Sequence, residues 1–136
     1  MTEKRTVHLP RPLVNQLLHL AQQSPEKEIC GLIGSREREA TCYPIDNVAV
    51  DASVLFALNA SEQIAAMKSM RERNQELFAI YHSHPTASAL PSVTDITEAN
   101  YPDALYLIIS LNTRGVLEMR GFYLGDNSMN EVALSI

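Results

Sequence analysis

No run of this chain approaches the roughly twenty consecutive apolar residues that a bilayer-spanning helix needs. The amino end, Met1-Thr2-Glu3-Lys4-Arg5, leads toward a short strand and not into the apolar core of a signal peptide. Both absences point to a protein that stays where it is made, in the cytoplasm. Cysteine is scarce. Cys30 and Cys42 are the only two, too few for a disulfide framework and not arranged as Cys-x-x-Cys, which suits a reducing compartment. Positive charge is also thin, with 11 Lys and Arg against 16 Asp and Glu and a formal net charge of -5. Nucleic-acid binding leaves a clustered basic patch, and none is present. No internal repeat, low-complexity tract or long linker divides the chain, so residues 1–136 are expected to form one domain.

What is present is a composition that is 46% hydrophobic and 20% charged, ordinary for a globular core. Thr6 to Leu9 reads as a short strand. Pro12 stands near a helix start, where a missing N–H does no harm. Leu13, Leu17 and Ala21, beside Val14 and Leu18, then give one buried helical face that ends at Ser24-Pro25. Glu28 to Gly34 and Ala40 to Ile45 read as strands, and Leu55 to Leu58 as a short one. Asn59 with Glu62 three residues later resembles a capping box, opening a helix through Ile64, Met67 and Met70 to about Asn74. Leu77 to Ser83 is apolar enough for a central strand covered on both faces. Ser92 opens another helix to about Asn100. Strands over Ala104 to Leu111, Val116 to Leu124 and Val132 to Ile136 close the chain. The expected class is α/β of the α+β type, a mixed central sheet flanked by helices.

The segment with chemistry runs from His82-Ser83-His84-Pro85 to Ser92-Val93-Thr94-Asp95. His82 and His84 lie two apart at a strand end, so both imidazoles leave the same face and can chelate one ion. Pro85 ends the strand, and the following loop can return Asp95, in the first turn of the next helix, to the same point. Two imidazoles and a carboxylate leave a fourth tetrahedral position open for water, as catalytic zinc sites do. Such a water needs a base, and Glu28 is the candidate, able to take its proton and deliver it to a leaving amine. Ser92 can donate a hydrogen bond to the developing oxyanion. Singly, each residue has a duller reading: Ser92 with Asp95 is also a helix-start signature, and Glu28 alone is a solvated carboxylate. Cys30 reads as packing, as do Met67 and Met70.

Glu28 in Glu-Ile-Cys-Gly-Leu-Ile-Gly, the whole of His82-Ser83-His84-Pro85, and Ser92-Val93-Thr94-Asp95 together resemble the JAMM motif of the MPN-plus metalloprotease family. Tyr101-Pro102-Asp103 and the Tyr106 to Ser110 strand extend the similarity to bacterial members. The resemblance implies a JAB/MPN fold similar to that of cytidine deaminases and one catalytic zinc held by His82, His84 and Asp95. It implies hydrolysis beside the carboxyl end of a ubiquitin-like protein, with Glu28 as base. Ala89-Leu90-Pro91-Ser92 is most similar to the short bacterial branch, which acts on sulfur-carrier proteins whose Gly-Gly tail bears an adduct. The alternative is a non-catalytic MPN scaffold that binds protein partners, but such relatives typically lack one or more ligands. A deaminase relies on His-x-Glu and a later Cys-x-x-Cys, and the chain has neither.

Overall fold

A computed structural model describes residues 5–112 and 117–136. The elements are β1 (Thr6–His8), α1 (Arg11–Gln22), β2 (Cys30–Arg36), β3 (Glu39–Ile45), α2 (Ala60–Glu72), β4 (Glu76–His84), α3 (Val93–Thr97), β5 (Leu105–Ser110), β6 (Glu118–Gly125) and β7 (Ser128–Ser135). The strands form one seven-stranded sheet in the order β1-β7-β6-β5-β4-β2-β3. β4 pairs parallel with β5 and antiparallel with β2, so the sheet is mixed, as expected. Both central strands are apolar because both their faces are covered.

Each face carries its own core. Leu13, Val14, Leu17 and Ala21 of α1 pack with Ile33, Ala79, Tyr81, Leu107 and their neighbours. Ala66 and Met70 of α2 pack with Leu32, Ile80, Ile108 and Phe122 on the other side. A side chain at Gly31 would run into the ring of Tyr81, so only glycine lets β2 lie this close to β4 just before the histidines. No helix among the described residues is long and apolar enough to cross a membrane.

Several expected boundaries shift for identifiable reasons. β2 begins at Cys30, not Glu28, because the Glu28 and Ile29 N–H groups leave the ladder. They donate to Ala52 O (2.7 Å) and to the Ser83 hydroxyl (2.9 Å). Pro44 sits within β3, which tolerates it as an edge strand. The expected strand over Leu55 to Leu58 reduces to one bridge between Leu58 and Asn47. Asn59 caps α2 by accepting from Glu62 N–H (3.0 Å), but the Glu62 carboxylate turns to Asp46 N–H (3.1 Å) instead of closing a capping box. Ile64 is exposed, and Ala66 takes the core position expected of it. α2 stops at Glu72, where Asn74 adopts φ 55° and turns the chain. α3 ends at Thr97 and not near Asn100: none of its residues is fully buried, and past it Ala99 N–H turns to Ile96 O (3.4 Å) in a tightened last turn. β7 starts earlier than Val132, because Asp126 and Asn127 both take positive φ and form a two-residue hairpin turn. Val116, expected to open β6, lies outside the described residues.

Candidate metal centre

Alternation along β4 puts Ile80, His82 and His84 on the face covered by α2, while Tyr81 packs toward α1. The loop after the strand is pinned at two points. Leu111 N–H donates to His84 O (3.0 Å), and the Ser110 hydroxyl donates to Ala87 O (2.7 Å). The chain then enters α3 through a capping box. The Ser92 hydroxyl accepts from Asp95 N–H (3.0 Å), and Ser92 N–H donates to Asp95 Oδ2 (2.9 Å). That reciprocal pair turns the carboxylate back toward β4.

Three donor atoms meet there. His82 Nε2 and His84 Nε2 are 3.2 Å apart, and Asp95 Oδ2 lies 3.1 Å from the first and 3.2 Å from the second. Bonds of about 2.0 Å to a tetrahedral ion set donors about 3.3 Å apart, so this near-equilateral triangle matches one face of such a coordination shell. Glu28 completes the cluster. Its carboxylate and the two histidines offer ligand atoms within 4.8 Å of one another, and all three residues are buried. His84 Nδ1 lies 2.7 Å from Ser88 O. A carbonyl can only accept, so Nδ1 carries a proton, which leaves Nε2 as the atom that would offer its lone pair to a bound ion. Two buried atoms, Glu28 Oε1 and His82 Nδ1, have no hydrogen-bond partner among the described residues. A buried carboxylate oxygen without a donor is a polar group awaiting one, and a divalent cation with its water fits the gap. The donor set, two imidazoles and carboxylate oxygen, suits Zn2+.

Without an ion, the same side chains bond one another, and their electrostatics follow from that. Burial raises the Glu28 carboxyl to about 7, with His84 lowering it and Asp95 raising it, close to what a base working near neutral pH requires. Burial also works to raise Asp95, but the hydrogen bonds from His82, His84 and Ser92 outweigh it and hold that carboxyl well below the usual range. His82 is driven toward the neutral form by complete burial. In His84 the same desolvation is overcome by its bonds to Asp95 and Ser88, and its pKa rises. Burial pushes the Cys30 thiol up to about 12, and its Sγ donates to Ile45 O (3.3 Å). That is a packing residue, as read from the sequence.

All five candidates therefore converge on one end of β4: Glu28, His82, His84 and Asp95 through their side chains, and Ser92 through the cap. Sequence reasoning missed three supporting residues. Ser83 takes the Ile29 N–H and so fixes the chain beside Glu28; a buried hydroxyl in an apolar strand was the available signal. Phe56 stacks on the His82 ring, with centroids 4.3 Å apart at 19°. Asn47 bonds the Glu28 carbonyl (3.0 Å). A cleft of about 410 Å³ opens beside Asp95, walled by Phe56, Leu58, Thr94, Tyr101 and Tyr106.

Known proteins resemble this chain in sequence and in fold. The chain is 32% identical to a desampylase of Haloferax volcanii over 97 residues, covering 69% of this chain and 70% of the relative. It is 28% identical to the CysO-cysteine peptidase of Mycobacterium tuberculosis over 127 residues, covering 91% and 86%. A solved structure from Desulfitobacterium hafniense superposes with a TM-score of 0.82 at 28% identity, covering 94% of this chain and 90% of that one. Residues 10–121 match the family described as prokaryotic homologs of the JAB domain, and the chain belongs to that family.

Proposed function

We propose that this protein is a zinc-dependent peptidase or isopeptidase. It would cut after the C-terminal Gly-Gly tail of a small ubiquitin-like or sulfur-carrier protein. The observation that carries this reading is the triangle of His82, His84 and Asp95 donors at 3.1–3.2 Å with the buried Glu28 carboxylate beside it. The names of the relatives, desampylase and CysO-cysteine peptidase, supply the substrate class. A non-catalytic scaffold gives no reason to bury Glu28 with Oε1 unpartnered beside such a donor set, which favours the catalytic reading.

Zn2+ held by His82, His84 and Asp95 would polarise the scissile carbonyl and lower the pKa of a water toward about 7. Glu28 takes the proton of the attacking water and delivers it to the leaving amine. Ser92 uses its lone pairs in the cap and keeps its hydroxyl proton free for the developing oxyanion. The cleft suits an extended tail. Among the described residues no hydrogen bond engages the main-chain groups of Phe56 or Leu58, and a peptide laid along them would add a strand. The free thiols of Cys30 and Cys42 accord with work in the cytoplasm.

The test is a panel of carrier proteins bearing C-terminal adducts, some peptide-linked and some isopeptide-linked. The expected result is release of the adduct after Gly-Gly from at least one class. Inertness toward every member would refute the assignment. Ser92→Ala separates two roles. Loss of the cap alone costs about 0.5–2 kcal/mol of stability, whereas loss of oxyanion stabilisation lowers turnover about a hundredfold or more. We expect both, with zinc retained. Near-normal turnover in the folded, zinc-loaded variant would leave Ser92 only its cap.

A further inference from the structure

Asn47 follows β3 by two residues and is half-buried. Its Nδ2 donates to Glu28 O (3.0 Å) and to Leu55 O (2.9 Å), and its Oδ1 accepts from Ala49 N–H (3.0 Å) and Ala57 N–H (3.0 Å). A primary amide has two donors and two principal acceptor sites, and here all four are used. The partners also fix the amide's orientation, since two are carbonyls and two are N–H groups. Two of the bonds grip the residues on either side of Phe56, the residue whose ring lies against His82 and forms part of the cleft wall. A third grips the main chain of Glu28, whose N–H is held in turn by Ala52 of the same loop.

No other residue type reproduces this. Asp has no donor, Ser and Thr offer a single oxygen, and Gln is one methylene too long. We propose that Asn47 is a positioning residue of the site. It joins the base-bearing residue to the lip of the cleft, so that Glu28 and the His82 imidazole keep their relation when a substrate tail presses on Phe56. This rests on the reading of Glu28 as base, but its first consequence is measurable without substrate.

The experiment compares zinc-loaded wild type with Asn47→Ala, which removes all four bonds, and Asn47→Asp, which keeps the size and the two acceptors. One readout is the NMR resonances of the His82 ring protons, which the stacked Phe56 ring shifts upfield. The other is kcat and KM on a conjugate that the wild type cleaves. In folded variants with wild-type zinc content, the His82 resonances should move downfield toward those of Phe56→Leu. The value of kcat should fall about tenfold or more, by a larger factor than KM rises, as small misplacements of reacting groups do. Wild-type values for either readout overturn the proposal, and failure of both variants to fold makes Asn47 a residue of the fold and overturns it too. Should the wild type cleave no conjugate, the functional reading falls while the His82 resonances still report whether Asn47 holds the lip.

Discussion

Glu28→Gln should leave the fold and the zinc content intact and lower turnover by about two to four orders of magnitude, the contribution of a positioned general base. Glutamine keeps the size of the side chain but cannot accept a proton. The position makes the variant clean. Glu28 is buried and its main chain is held by Ala52 and Asn47, so the substitution changes charge and basicity without freeing the segment. Affinity for a Gly-Gly-terminated carrier should change little, because the tail would lie against Phe56 and Leu58. The pH profile provides a second handle. Burial raises this carboxyl to about 7 in the absence of an ion, and a cation nearby can only favour the ionised form. The acid limb of kcat/KM in the wild type should therefore lie at or below about 7, falling as pH drops and Glu28 protonates. That limb should be missing from the residual activity of Glu28→Gln. Hydrolysis at the wild-type rate would show that the base is elsewhere. Loss of zinc instead would make Glu28 a ligand.

Asp95→Ala should strip the centre of most of its metal. The wild type is expected to hold about one zinc per chain, since the donor triangle offers one complete set. Asp95 supplies the sole oxygen of that triangle, and Oδ2 also accepts from Ser92 N–H. Removing it leaves two imidazoles, which bind a divalent ion far more weakly, and turnover should vanish with the metal. Asp95→Asn, which keeps a carbonyl oxygen for the cap, separates the helix-start role from ligation: it should fold as well as wild type yet hold less zinc. Full zinc occupancy in Asp95→Ala would remove Asp95 from the ligand set.

How much of this was legible beforehand depends on the range of the interactions. His82, His84, Ser92 and Asp95 lie within one short segment, and two local rules describe them. A strand puts residues two apart on one face, and Ser-x-x-Asp marks a helix start whose carboxylate folds back. Both rules hold in the structure. Glu28 was legible as a residue type in a pattern but not as backbone, because Ser83, fifty-four positions away, draws Ile29 N–H off the ladder. Asn47 and Phe56 carry no local signature of a role at the site. Asn47 reads as a turn residue, and only the folded loop reveals that its amide serves four main-chain groups. The same limit explains the overlong α3. Ser92 announces a beginning, but no residue marks the end, where the last turn tightens and only Ile96 of the helix packs part-buried against the core. Ile64 failed similarly: a helical period names a stripe, and the sheet decides which edge of the stripe it covers.

The central claim is that hydrolysis depends on an ion held at the end of β4. The most direct measurement is cleavage of one verified carrier conjugate by protein as purified, after treatment with a chelator, and after restoring one equivalent of zinc. The account predicts that removal abolishes release of the adduct and that zinc restores it in the wild type, while Asp95→Ala is not rescued by the same addition. Release that continues undiminished in protein shown by metal analysis to be stripped would contradict it.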